Sequence, residues 1–299
     1  MDLRDPNDKL YVCCTLISVI LTMAAIVFSI VYLIVLAPIE ADTLSEGEYA
    51  PGEVMTVVCG AIFILCLWRI IQDYRKRMRD CPPEERDARF MRAPLSKMGI
   101  LMAITAFTTV SILLFSELIG MGVSGGPSGD MTDYCMIASM MCAGPEEEIL
   151  CRAILIGVPI MVICAIKGHH GPLKYVLGGF GMSKVALILI IISAFVFGAM
   201  HLSDWSFMKF FDTFISGALF GYVYVQYGLH VTIVMHSAFD IMASLDILVD
   251  GLGTVPLIIM CILGIILFVR SLLKARSYIP DKVLNEPFDG NHVQMWERD

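Results

Sequence analysis

Charge is scarce in this sequence: 17% of its 299 residues are charged and 57% are hydrophobic, where soluble domains average about 25% charged and 45–50% apolar. An ordinary water-soluble fold is excluded. A basic excess is also lacking, since 21 Lys and Arg against 29 Asp and Glu give a formal net charge of -8. No face or tail carries the positive charge that phosphate binding requires, so nucleic acid is excluded as a partner. The ten Cys form no CxxC and no spaced framework. Cys13, Cys14, Cys59, Cys66, Cys142 and Cys164 lie inside apolar runs and read as small buried residues. There is no HExxH zinc motif, internal repeat or heptad array. The start lacks the basic residues and short apolar core of a signal peptide, because Asp2, Asp5 and Asp8 precede a long run. The first hydrophobic segment is therefore expected to be retained.

What is present is long apolar runs. Residues 11–39 contain no Asp, Glu, Lys or Arg, and at about 1.5 Å per residue they exceed the roughly 30 Å hydrocarbon core of a bilayer. Further runs cover 54–71, 98–120, 134–166, 185–200, 207–227, 229–249 and 254–273. These predict an all-α, polytopic membrane protein of about eight spanning helices. Arg75, Lys76, Arg77, Arg79, Arg86, Arg89 and Arg92 fill one loop, and Glu40, Asp42, Glu46, Glu48 and Glu53 fill the one before it. The positive-inside rule puts the basic loop in the cytoplasm. Lys167, Lys174 and Lys184 mark a second inner loop, and Arg270, Lys274 and Arg276 follow the last run. A multi-pass protein of the cell membrane with both termini cytoplasmic is expected. The chain divides into a two-helix segment (1–96), a core (97–273) and a polar tail (274–299). Gly217 and Gly221 form a close-packing GxxxG.

The fourth run contains Gly144-Pro-Glu-Glu-Glu-Ile-Leu-Cys-Arg152. Each ionised group at the centre of an inserted helix costs roughly 2.5–3.5 kcal/mol, and four facing lipid singly would cost on the order of 10 kcal/mol. They must face protein, water or one another. Glu148 and Arg152 are i,i+4 neighbours on a helix face, while Glu147 points away from Arg152 and is freer for chemistry. Pro145 marks a point at which a helix would restart.

Two later runs each carry an imidazole: Phe197-Gly-Ala-Met-His201 closes one, and His236-Ser-Ala-Phe-Asp240 lies in another. The latter spacing puts His236 and Asp240 on one helix face. Read singly, Glu148 with Arg152 is a structural ion pair, His201 an interfacial His, and His236 with Asp240 a packing bond or a site. His169 and His170 read as solvated, and Lys209 with Asp212 as a pair near the membrane surface. The coincidence of these acids and imidazoles on three apolar segments makes them functional candidates.

The three motifs, Glu-Glu-x-x-x-Arg, Phe-x-x-x-His and His-x-x-x-Asp on successive membrane segments, resemble those of the CPBP family. These are the CAAX proteases and bacteriocin-processing enzymes, also called Abi proteins. The resemblance covers roughly 98–273. It implies an all-helical membrane core that hydrolyses a peptide bond within or beside the bilayer, with a peptide or lipidated-protein substrate. In the prenyl endopeptidase branch the last three residues after a prenylated Cys are removed. Carried over by motif, Glu147 and His201 activate the attacking water, and His236 and Asp240 stabilise the oxyanion. Glu148 and Arg152 hold the first motif helix, and Phe197 supports the second. Asp240 departs from the Asn favoured by the prenyl endopeptidases.

Two mechanisms stay open, because Glu147, His201 and His236 also form a His2Glu zinc set with an open position for water. The cofactor is accordingly none or zinc. From other classes, the same residues would serve a proton relay in an ion-coupled transporter, or belong to a proteolytically silent scaffold of the same family. Ideal straight helices set His201 near the outer end of its span and His236 about 10 Å from the inner surface, so convergence requires tilt, a broken fourth helix or a re-entrant segment near 203–205.

Overall fold

A computed structural model describes residues 9–31, 53–124, 133–169, 171–247 and 250–276. Among these residues every regular element is helical, and the chain is an all-α polytopic membrane protein. The helices are α1 (Lys9–Val31), α2 (Glu53–Met78), α3 (Arg86–Arg92), α4 (Pro94–Leu118), α5 (Asp133–Glu148), α6 (Val158–Ile166), α7 (Lys184–Met200), α8 (Phe207–Tyr227), α9 (Leu229–Ser244) and α10 (Thr254–Arg276). The first loop, the acidic tail and His170 lie outside the described residues.

Six helices are long and apolar enough to cross a membrane, within Lys9–Phe28, Met55–Met78, Pro94–Leu118, Met136–Ile166, Lys184–Ser203 and Thr254–Leu273. Their outer faces present Ile20, Leu65, Trp68, Leu114, Phe115, Ile188 and Ile262, a surface that water would not tolerate and hydrocarbon does. An expected count of eight crossings rests on α8 and α9. The 16 residues of α9 rise only about 24 Å, short of the roughly 30 Å core. Its run was expected to reach 249, but the helix stops at Ser244 and passes into a 3-10 turn over Leu245–Ile247. Apolar residues alone do not distinguish such a turn from continued helix.

Local chemistry accounts for the helix ends. Pro94 opens α4, where its missing N–H costs nothing. Ser183 caps α7 by accepting from the Ala186 N–H at 3.1 Å. Asp246 caps α10, accepting from the Gly253 N–H at 2.6 Å and from the Thr254 N–H. The fourth run does not restart at Pro145, which lies inside α5. The irregularity comes later, as a π-helical stretch over Ile149–Gly157 that ends just before Pro159. A proline clashes with the carbonyl four residues earlier, and a widened turn upstream relieves that clash.

Among the described residues, three clusters of buried apolar residues fill the interior, the smallest of them Met141, Ile241 and Leu245 between α5 and α9. Of the larger two, one joins Tyr11, Ile26, Phe63, Met98, Met102, Val234, Ala238, Met260 and Leu267, so that α1, α2, α4 and α10 enclose α9. The other joins Ile156, Ile160, Tyr175, Phe180, Ile190 and Tyr224. Close approach is made possible by glycine: a Cβ on Gly144 would lie 2.2 Å from Ser237 Oγ and 2.9 Å from its backbone nitrogen. Helix α5, carrying the acidic motif, therefore lies directly on α9, carrying His236.

Candidate active site

Glu148 closes α5 and is fully buried, as is Arg152 in the π-helical stretch. The guanidinium Nε lies 3.1 Å from Glu148 Oε2, a charge contact without aligned hydrogen-bond geometry. Arg152 Nη1 donates to Ser193 Oγ at 3.1 Å, and Ser193 in turn donates to the Cys151 carbonyl at 2.5 Å. The guanidinium carbon stands 4.9 Å from the Phe197 ring centre and 5.9 Å from that of Phe220, so the rings face a cation on two sides. Glu148 Oε1 accepts from His236 Nδ1 at 2.9 Å. A buried chain thus runs Ser193, Arg152, Glu148, His236, and each charge in it has a partner.

A carboxylate on Nδ1 makes that nitrogen the donor. The opposite nitrogen, Nε2, lies 3.3 Å from Asp240 Oδ2 and 3.7 Å from Glu147 Oε2. The His236 ring is packed between Phe220, at 4.8 Å between centroids, and Phe197, at 5.7 Å. Glu147 is held less closely than its neighbour: its buried Oε2 makes no hydrogen bond and its contact with His236 Nε2 is at 3.7 Å, against 2.9 and 3.1 Å for the contacts of Glu148.

His201 follows the last residue of α7, at the head of a 3-10 turn. Its Nδ1 lies 2.8 Å from the Phe197 carbonyl, and a carbonyl only accepts, so the proton belongs on Nδ1 and the Nε2 lone pair is left free. Helical side chains lean toward the N-terminus. His201 accordingly folds back onto Phe197, with ring centroids 4.9 Å apart, and Asp240 folds back onto His236. His201 and His236 thus line one cavity. Phe197 touches both imidazoles, and Gly217 of the GxxxG in α8 makes room for it, since a Cβ there would lie 2.9 Å from Phe197 Cδ1.

Glu147, His201, His236 and Asp240 all line one cavity of about 420 Å³, together with Ser139, Met140, Ala143, Met200, Asp204, Trp205 and Lys209. Glu148, Arg152 and Phe197 stand behind that wall. Lys209 is the residue whose sequence reading changes. It does pair with Asp212 at 2.8 Å, but its ammonium also lies 5.1 Å from the Trp205 ring centre and lines the cavity. Asp212 is buried and also accepts from Thr109 at 2.6 Å. Ser193 was not singled out either. Its position four residues before Phe197 and eight before His201, on one helical face, was the available signal.

A His2Glu zinc set requires ligand atoms about 3.4 Å apart around an ion at 2.0–2.1 Å. Among the described residues, the trio of His, Cys, Asp or Glu ligand atoms that lie within 4.8 Å of one another is Cys59, Cys142 and Glu146. Glu147, His201 and His236 do not close to that distance.

Residues 133–242 match the family model described as Type II CAAX prenyl endopeptidase Rce1-like. No curated protein and no solved structure matches the chain. The matched segment runs from the start of α5 to within two residues of the end of α9, and so contains all three motifs and the cavity between them. This segment of the chain is thus similar to the Type II CAAX prenyl endopeptidases, which supports a CPBP-type assignment for the helices that carry the three motifs.

Proposed function

We propose that the chain is an intramembrane endopeptidase that hydrolyses a peptide bond of a lipidated, CAAX-type substrate, using water activated by Glu147 and His201. The observation that carries the proposal is the cavity in which a carboxylate whose buried oxygen makes no hydrogen bond, an imidazole with a free Nε2 and a second imidazole meet a carboxyl group.

In this mechanism Glu147 accepts a proton from water as it attacks the scissile carbonyl, and His201 Nε2 orients that water and relays the proton to the leaving amine. The developing oxyanion is met by Nε2–H of His236 when the ring carries both protons, and by Asp240 in its protonated form, because an ionised carboxylate cannot donate. Glu148 and Arg152 touch no reacting atom. They are positioning residues, fixing the Nδ1 side of His236. Lys209 supplies positive charge at the cavity wall and suits a substrate carboxylate, as expected for cleavage near a C-terminus.

The test uses the full chain in lipid vesicles, offered peptides that end in a prenylated Cys plus three residues and the same peptides without the lipid. Release of the terminal tripeptide from the prenylated form is the expected result. Absence of any new peptide terminus from either substrate would remove the endopeptidase reading and favour a silent scaffold. Cleavage of both at equal rates would remove the prenyl preference alone.

A further inference from the structure

Beside the cavity, on the neighbouring face of α5, a second cluster joins α5 to α2. Cys142 and Glu146 are four residues apart and share a helix face, and Cys59 of α2 reaches between them. Cys59 Sγ lies 4.0 Å from Glu146 Oε1, and Cys142 Sγ lies 4.0 Å from the hydroxyl of Thr56, one turn before Cys59. The two sulfurs and the carboxylate oxygen lie within 4.8 Å of one another. Tetrahedral zinc, with Zn–S near 2.3 Å and Zn–O near 2.1 Å, sets its ligands about 3.6–3.8 Å apart. The cluster is within a few tenths of an ångström to about one ångström of that arrangement, a change that side-chain rotation supplies.

A second observation bears on the same place. Glu146 is exposed within the apolar span Met136–Ile166; no ion pair reaches it among the described residues, and the Cys59 thiol donates to it at 4.0 Å. Such a carboxylate is costly in a bilayer unless it has a partner. Both thiols beside it are free and buried, so the groups around the carboxylate are those a borderline-soft divalent cation selects.

We infer that Cys59, Cys142 and Glu146 form a binding site for a divalent cation of the zinc class, tying α2 to the helix that carries Glu147. Binding releases two thiol protons and adds two positive charges, so the net charge of the cluster is unchanged and the new thiolates are neutralised by the ion. The fourth position falls to water or to Thr56. The site is separate from the cavity, because Glu146 and Glu147 are about 100° apart on the helix, and its effect on cleavage is exerted through the placement of α5.

The experiment uses purified full-length chain, with zinc and cobalt(II) as probes. Zinc is expected to slow alkylation of Cys59 and Cys142 in the unaltered protein, read by mass spectrometry, while Cys81 reacts as before. Cobalt(II) is expected to give sulfur-to-metal charge-transfer absorption that weakens in Cys59→Ser and Cys142→Ser and persists in His201→Ala. Each Cys→Ser change should lower zinc affinity roughly 100-fold or more, beyond the about 10–100-fold that follows loss of an outer-shell partner. Should the variants fail to fold, the protection experiment on the unaltered chain still decides. Unprotected thiols, a Cys59–Cys142 disulfide in the non-reduced protein, or undiminished zinc binding in the double Cys→Ser variant would each overturn the site.

Discussion

Glu147 and Glu148 are neighbours in sequence and opposites in surroundings. Glu148 is held by Arg152 and His236 at 3.1 and 2.9 Å, whereas Glu147 has only the more distant contact with His236, at 3.7 Å. The i,i+4 relation of Glu148 to Arg152 made this division legible in the sequence, because helix periodicity alone decides which of two adjacent side chains shares a face with a third. The contact between His236 and Glu148 was not legible, since it depends on how α5 and α9 cross. Replacing Arg152 by Met leaves a buried carboxylate one partner short, and a stability loss of about 3–5 kcal/mol is expected, measured by thermal unfolding in detergent. Arg152→Lys should recover only part of it, lacking the planar group that faces Phe197 and Phe220. Full recovery would reduce the role to charge alone. Asp240 separates the oxyanion role from metal ligation. Asn donates a hydrogen bond at any pH but Asp only when protonated, so Asp240→Asn is expected to keep substantial activity and to hold it to higher pH. Asp240→Leu should lose about 2.7–4 kcal/mol of transition-state stabilisation, the typical cost of one oxyanion donor. Both are read from pH–rate profiles with zinc content measured alongside. An inactive Asp240→Asn that has lost stoichiometric zinc would make Asp240 a metal ligand instead.

The elements carry the site through small residues. Gly144 lets α5 lie on α9, and Gly217 makes room for Phe197 between the two imidazoles. Gly144→Ala removes no reacting group, yet its Cβ meets Ser237 and must push α5 outward. A stability loss of about 1–3 kcal/mol is expected, with a fall in peptide cleavage because Glu147 moves with the helix. Unchanged cleavage at unchanged stability would mean that the α5–α9 spacing is not critical. The GxxxG was legible as a packing feature, but its partner was not, because spacing says that a surface is close-packed and not what packs there. The π-helical stretch after Glu148 was likewise hidden. It ends two residues before Pro159, inside an apolar run that reads as uninterrupted helix. Fold class and the positions of the long helices were plain from hydropathy, while the end of α9 was misplaced because Leu245 and Ile247 are apolar in a turn.

For the whole molecule, six helices are long and apolar enough to span, and the loop that begins after α2 is strongly basic. On the positive-inside rule that loop is expected to face the cytoplasm. Cys81 lies in it, half-buried at the turn after α2, and offers a probe. In a variant whose other thiols are removed, Cys81 should react with a membrane-impermeant thiol reagent only after the membrane is opened. Labelling in intact cells would invert the orientation. The family match over 133–242 and the convergence of four side chains on one cavity meet in a single chemical claim, that Glu147 takes the proton of the attacking water. The most direct measurement is the rate of peptide cleavage by purified, vesicle-reconstituted Glu147→Ala and Glu147→Gln beside the unaltered chain, with folding monitored by thermal unfolding. Both variants should fold and should lose at least about 10²–10⁴ in rate, the usual contribution of a general base. Cleavage by either at the unaltered rate would contradict the account.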